Sequence, residues 1–344
     1  MSSPLLKIRP VGNPLNLNKL PFDTSLLAPF AADFYQSGTA ALAAAVMASL
    51  KRRADIRHPQ VILPAYGCPD LVSAVLHAGA RPVLVDLAAS STYLDLDHVR
   101  EAITAQTAAI VAVRFLGIPE RMRDLAQICA SHKLTLIEDS AQGFPTTEPA
   151  TYWQGDYSVL SFGRGKPVNL LGGGAVLTRD DELRTYLPPA GSPGDSLSAA
   201  VRYRLKALAY NRLIHPLAYG LVARVPGLKL GETIYKPLHA ILAMPGFVQT
   251  CLAANIAAYR RLPNAARRIH ELLQEFDAPR LRDLPAAAGF DFTNPLLRYP
   301  LLAENKALRD VLYAALEPYG ASLMYKQPLY EIEGIESLLS LIHI

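Results

Sequence analysis

Residues 134–142 read LTLIEDSAQ, and residues 158–166 read SVLSFGRGK. Each opens as a short apolar run and ends in groups capable of chemistry. An apolar run of four or five residues without alternation is the pattern of a strand buried on both faces. Sheets of that kind bind ligands beyond the carboxyl ends of their strands. Asp139, just past Leu134–Ile137, therefore stands where a ligand would, although a turn or helix cap also uses an acid there. In the second stretch a strand delivers Ser161, a Gly-containing loop follows, and Lys166 comes 27 positions after Asp139. Loops on a rigid scaffold present reactive groups. A lysine can form a Schiff base when its surroundings lower its pKa; a solvated surface lysine is the plainer reading.

The same rhythm extends outward. Residues 39–52 are Ala-rich and predict a helix. Val61–Leu63, Pro82–Val85 and Ala108–Val113 predict strands, and 70–78, 95–104 and 121–132 predict helices. Short buried strands alternating with helices define an α/β fold with a mostly parallel central sheet. Beyond residue 150, Tyr157–Phe162 and Ala175–Thr178 read as strands around a Gly-rich loop, and 181–187 as a short helix. Residues 247–275 read as one long helix with an irregularity at Pro263. Leu296–Leu302, 305–318 and 320–325 read as strand, helix and strand. The expected organisation is an N-terminal arm over 1–32, a large domain over 33–245 and a small α+β domain over 246–344. The closing SLLSLIHI does not read as an element completing that domain, so the natural chain is expected to continue beyond about residue 337.

Two more segments join the first two. Ser37-Gly38-Thr39-Ala40 opens the Ala-rich helix, where unpaired N–H groups attract a phosphate and glycine permits close approach; an ordinary Ser cap fits as well. Leu171-Gly172-Gly173-Gly174-Ala175 suits a turn beside a ligand and suits a plain hairpin equally. Neither the dinucleotide fingerprint nor the phosphate loop of nucleotide hydrolases is present.

Composition narrows the class. The 344 residues are 51% hydrophobic and 19% charged, with a net charge of +4, too small a surplus for a nucleic-acid binder. Cys68, Cys129 and Cys251 form neither a disulfide framework nor a zinc motif, and the eight histidines show no metal spacing. No apolar run reaches bilayer length and the first residues lack the core of a signal peptide, so a cytoplasmic location is expected.

Taken together, SGTAAL (37–42), 61–86, 113–142 and 158–178 resemble the DegT/StrS family of fold-type-I pyridoxal-phosphate sugar aminotransferases, with a weaker likeness over 298–325. The resemblance implies pyridoxal 5'-phosphate held covalently by Lys166, Asp139 beside the pyridine nitrogen, Gln142 at the ring hydroxyl, and Gly38, Thr39 and Ser161 at the phosphate. It implies transfer of an amino group from an amino acid such as glutamate to a keto sugar, nucleotide-linked, in a homodimer with its site at the interface. Family members that act as dehydratases carry histidine where Lys166 stands, so the lysine favours amino transfer. The family's ring-stacking aromatic falls at Cys68, with Tyr66 two residues away, and its Asn-x-Arg-Met segment appears as Ile241-Leu242-Ala243-Met244. Those two departures leave room for a catalytically inactive, cofactor-binding regulatory or scaffold protein. A desulfurase would need a mobile cysteine, and Cys68 is the one candidate.

Between Asp195 and Glu232 six basic residues occur without an acid: Arg202, Arg204, Lys206, Arg212, Arg224 and Lys229. Three readings stand: a solvated helix with its apolar side on the core, a wall for a diphosphate-linked substrate, or weak contact with an anionic membrane surface through 198–230. Pro216 and Pro226 break any long helix there.

Overall fold

The computed structural model describes residues 8, 12–147, 149–223, 234–275, 279–325, 327–333 and 340–341. Its centre is a sheet of β1 (Ala31–Tyr35), β2 (Gln60–Pro64), β3 (Arg81–Val85), β4 (Thr107–Val113), β5 (Thr135–Asp139), β6 (Tyr157–Ser161) and β7 (Gly174–Thr178). The order is β1-β7-β6-β5-β4-β2-β3, and the two-residue strip Ser340–Leu341 extends the β3 edge in parallel. β3, β2, β4, β5 and β6 run parallel, and β7 alone is antiparallel to its neighbours β6 and β1. The mostly parallel α/β sheet expected from the alternating runs is therefore present. All seven residues of β4 are buried, as a strand covered on both faces demands.

Helices α1 (Gly38–Arg52), α2 (Asp70–His77), α3 (Leu96–Ala102) and α4 (Met122–His132) connect the strands. Nearly the whole of α1 from Ala40 to Ser49 is buried, and its small side chains let it lie close on β6 and β7. Because β1 and β6 run the same way, the carboxyl ends of β1, β2, β4, β5 and β6 share one edge of the sheet, and α1 starts there.

β5 alternates sides, so Glu138 and Asp139 point to different environments. Glu138 is 1% exposed. One of its oxygens accepts from Arg114 Nε and Nη2 at 3.2 and 2.7 Å. The other accepts from the Gln154 and Gly155 N–H groups at 2.7 and 3.2 Å and from Ser158 Oγ at 3.3 Å. Arg114 also donates to the Tyr152 carbonyl at 2.7 Å and lies over that ring.

The arm is a strap held by asparagines. Asn211 brackets Leu15 with two hydrogen bonds of 2.8 Å, and Asn255 does the same for Asn16. Asn13 and Asn169 tie the strap to the loop carrying Lys166.

The C-terminal third departs from expectation in two ways. The long helix predicted over 247–275 is three: Gly246–Gln249, Leu252–Arg260 and Ala265–Gln274. The Leu20 N–H of the strap takes the Thr250 carbonyl at 3.0 Å, which withdraws that acceptor from a helical ladder. Pro263 brings no donor, and Asn264 caps the third helix by accepting from Arg267 N. Of the predicted strands over 296–302 and 320–325, pairing is limited to Leu301–Ala303, against Leu281–Asp283. The Leu297 N–H is spent on the Leu116 carbonyl at 2.7 Å, and the Tyr325 carbonyl accepts from the Tyr66 hydroxyl at 3.0 Å. Leu329, fully buried, donates its N–H to Ala65 at 2.8 Å, so the chain folds back over the end of β2.

Glu138→Gln leaves a buried guanidinium without its anion. It is expected to lower folding stability by about 3 kcal/mol, read as a drop in urea midpoint at unchanged slope.

Candidate active site

Helix α1 begins at the strand edge because Ser37, with φ −157°, caps it through Oγ accepting from Ala40 N at 3.1 Å. The Ser37 carbonyl takes the first intrahelical bond from Ala41 N, so the Gly38 and Thr39 N–H groups precede the helical ladder, and Ser37 is bridged in parallel to Gly173 of the hairpin. Glycine at 38 is obligatory here: a Cβ would stand 2.6 Å from Ser161 Cβ and 2.7 Å from its Oγ. Gly174 is equally constrained, since a Cβ there would lie 2.5 Å from the Ser37 carbonyl oxygen. In register, Gly174 lies between Ser161 of β6 and Tyr35 of β1. The glycine run at 172–174 is thus the descending arm of the β6–β7 hairpin and the floor on which α1 starts.

The hairpin loop carries Lys166. Its neck is closed by Phe162 N to Gly173 O at 2.9 Å and Leu170 N to Phe162 O at 2.8 Å, and its tip turns through Lys166 N to Gly163 O at 3.2 Å. Gly165 has φ +78°, a conformation glycine adopts without penalty. Ser161 Oγ accepts from Gly163 N at 3.4 Å, at the root of the same loop.

Asp139 ends β5, paired with Val113 and Val159. One carboxylate oxygen accepts the Ala141 N–H at 2.9 Å. Burial raises the carboxyl above the ordinary carboxylate range, while that hydrogen bond and the Lys166 ammonium pull it back. An aspartate so placed gains from a second cationic or N–H partner. Gln142 is buried; its Oε1 accepts from Leu116 N at 2.8 Å and its Nε2 donates to the Tyr325 hydroxyl at 3.0 Å.

The structure brings Gly38, Thr39, Asp139, Gln142, Ser161 and Lys166 to one edge of the sheet. Tyr66 and Cys68, on the turn after β2, stand there too. The Tyr66 ring stacks against Phe115 at 6.3 Å between centroids and meets Tyr325 edge-on at 5.4 Å. Cys68 feels both Lys166 and Asp139, and burial pushes its thiol up to about 12. A thiol held protonated is a poor nucleophile, which speaks against the desulfurase reading. Ile241–Met244 runs antiparallel beside β1, the edge strand of the central sheet, with Gln36 N donating to Leu242 O at 2.9 Å and Met244 N to Phe34 O at 3.2 Å.

Two residues escaped the sequence reading. Tyr325 closes over Gln142 and Tyr66 from the C-terminal segment; burial lifts its phenol well above its ordinary value. It is the last residue of the weaker family-like stretch, the one signal that could have found it. Beside it lies Arg298, whose guanidinium nitrogen Nε is enclosed and has no acceptor among the described residues. Burial holds Arg298 below the ordinary arginine range, and the groups bearing on it are Tyr325 and Tyr219.

A parallel-sheet edge that gathers a lysine, an aspartate and a helix start is the site of an α/β enzyme-type scaffold. The family profile of DegT/DnrJ/EryC1/StrS aminotransferases matches residues 31–218, just over half of the sequence, and the chain belongs to that family. It is 35% identical over 125 residues to the 3-oxo-glucose-6-phosphate:glutamate aminotransferase of Bacillus subtilis, covering 36% of this chain and 28% of that protein. It is 29% identical over 177 residues to the GDP-perosamine synthase of Escherichia coli O157:H7, covering 51% and 47%. The chain thus matches about half or less of the length of these curated relatives. Among solved structures it is similar to the putative sugar aminotransferase Spr1654 of Streptococcus pneumoniae in its PLP form, with TM-score 0.64, 20% identity and 91% and 78% coverage. It is similar also to a DegT DnrJ EryC1 StrS aminotransferase from Brucella abortus, with TM-score 0.62, 22% identity and 92% and 77% coverage.

Gly38→Ala is expected to cost about 2 kcal/mol through overpacking against Ser161. The Gly38→Ala/Ser161→Gly pair should regain part of that loss in thermal unfolding, and strict additivity of the two changes would show that the residues do not touch.

Proposed function

We propose that this chain is a pyridoxal-phosphate aminotransferase that moves an amino group from an amino acid, glutamate in the simplest case, to a keto sugar carried on a nucleotide. The observation that carries the reading is the convergence of Lys166 and Asp139 at the edge where α1 begins. The residues present fit the cofactor. The start of α1, brought against Ser161 by the absence of a side chain at Gly38, and the Ser161 hydroxyl suit a phosphate, and Asp139 keeps one carboxylate oxygen beyond its bond to Ala141.

Bound pyridoxal phosphate would supply an electron sink for the substrate carbon. Lys166 Nζ would hold the cofactor, and its amine is the group placed to take and return a proton at the reacting carbon. The Asp139 carboxylate, with one oxygen beyond its bond to Ala141 N, would stabilise a protonated ring nitrogen. Gly38 and Thr39 at the start of α1 and the Ser161 hydroxyl would hold the phosphate, and Gln142, fixed by Leu116 and Tyr325, would orient the ring. Tyr66, Phe115 and Tyr325 wall the site from water. Arg298, a cation without a carboxylate among the described residues, supports a substrate that brings negative charge into the site. We read the enzyme further as a cytoplasmic homodimer. The three free cysteines support a reducing compartment, and dimerisation is carried over from the family resemblance.

Lys166→Ala is expected to fold as the parent does, to lose the visible absorption band of bound cofactor, and to convert no glutamate to 2-oxoglutarate in a stoichiometric half-reaction. A parent protein that keeps its band but leaves glutamate unchanged would point instead to the inactive, cofactor-binding reading.

A further inference from the structure

Helices α5 (Asp181–Thr185), α6 (Leu197–Leu213) and α7 (Pro216–Val222) follow the sheet, and α6 is apolar on two sides. Its inward side is fixed to the body. Ala207 is fully buried, the Tyr203 hydroxyl donates to Leu170 O at 3.1 Å, and Asn211 brackets Leu15 of the strap. Its outward side should then be polar, and it is not. Leu197, Val201, Leu205 and Leu208 recur at helical spacing on one face and are 84%, 49%, 62% and 52% exposed. Leu217 and Leu221 of α7, four residues apart, are also more than a third exposed.

The charges on α6 itself are all of one sign, and Asp195 just before it is engaged by the Gly246 N–H. Arg202, Arg204, Lys206 and Arg212 are exposed on α6, and no Asp or Glu occurs between Asp195 and Glu232. The stripe also borders a cleft of about 180 Å³ lined by Leu17, Lys19, Leu197, Val201, Arg204 and Phe247, apolar walls with two cations. A second copy would have to bring carboxylates from outside α6 and α7 to pair these cations, because the two helices carry none. An anionic lipid surface satisfies both features: acyl chains take the leucines, and phosphates take the Arg and Lys heads at the interface. Among the described residues no helix is long and apolar enough to cross a membrane, so the contact is one of lying on the surface.

We propose that α6 and α7 form a monotopic docking surface for an anionic phospholipid membrane, entered by Leu197, Val201, Leu205, Leu208, Leu217 and Leu221 and steered by the four cations. Apart from Leu197, this surface lies within the 198–230 stretch singled out in the sequence; residues 224–230 are outside the described ones. The proposal is independent of the reaction catalysed.

The test is co-flotation of the full chain with phosphatidylcholine vesicles, with and without about one-third phosphatidylglycerol. Each basic residue at the surface contributes about fivefold to partition. The chain should therefore float with the anionic vesicles at low salt, at least tenfold better than with neutral ones, and dissociate at about 0.5 M salt. Leu205→Glu/Leu208→Glu should abolish flotation, and Arg202→Glu/Lys206→Glu should abolish the preference for anionic lipid. Both pairs project away from Ala207 and Tyr203, and circular dichroism checks that they stay folded. Absence of the parent from anionic vesicles at low salt overturns the proposal. So does flotation that neither pair alters, or a change in the solution mass of Leu205→Glu/Leu208→Glu by light scattering, which would assign the face to a second copy.

Discussion

Five donors from three parts of the chain converge on one buried carboxylate, that of Glu138, and the candidate site depends on where that convergence puts its neighbour. Arg114 comes from the turn after β4, Ser158 from β6, and the Gln154 and Gly155 N–H groups from the connection between β5 and β6. With both oxygens satisfied, the end of β5 has one orientation. The alternation of a strand then aims Asp139 at the opposite side, toward the edge shared with Lys166 and α1. A buried ion pair is costly to assemble and contributes little net stability when complete. What it contributes here is direction.

The second constraint is steric. Gly38 and Gly174 each occupy space that a methyl group would deny, one against Ser161 and the other against the Ser37 carbonyl. They let the first turn of α1 rest on the β6–β7 hairpin, so an anion at the helix start and a reactive group on the hairpin loop share a site. Three sequence segments more than a hundred residues apart at the extremes meet through two absent side chains.

The central sheet was legible because its strands are uniform apolar runs, and burial on both faces writes itself into composition. Asp139 and Lys166 were legible from their place after such runs. The C-terminal third was not, because its conformation is set by partners distant in sequence. The Thr250 carbonyl is taken by Leu20, the Leu297 N–H by Leu116, and the Tyr325 carbonyl by Tyr66. No local pattern announces those bonds, and so one expected helix is three and two expected strands are mostly irregular. Tyr66 shows the same limit inside the site: its proximity was legible, its engagement with Phe115 and Tyr325 was not. In α6 the basic, acid-free composition was plain in the sequence, but only burial reveals that leucines occupy the outward face.

The claim on which the functional account rests is that Lys166 carries the cofactor. Reduction of the pyridoxal-phosphate-treated protein with borohydride, followed by peptide mapping, tests it directly. A single pyridoxyl-lysine adduct is expected, at Lys166. An adduct confined to other lysines, or none at all in folded protein, would contradict it.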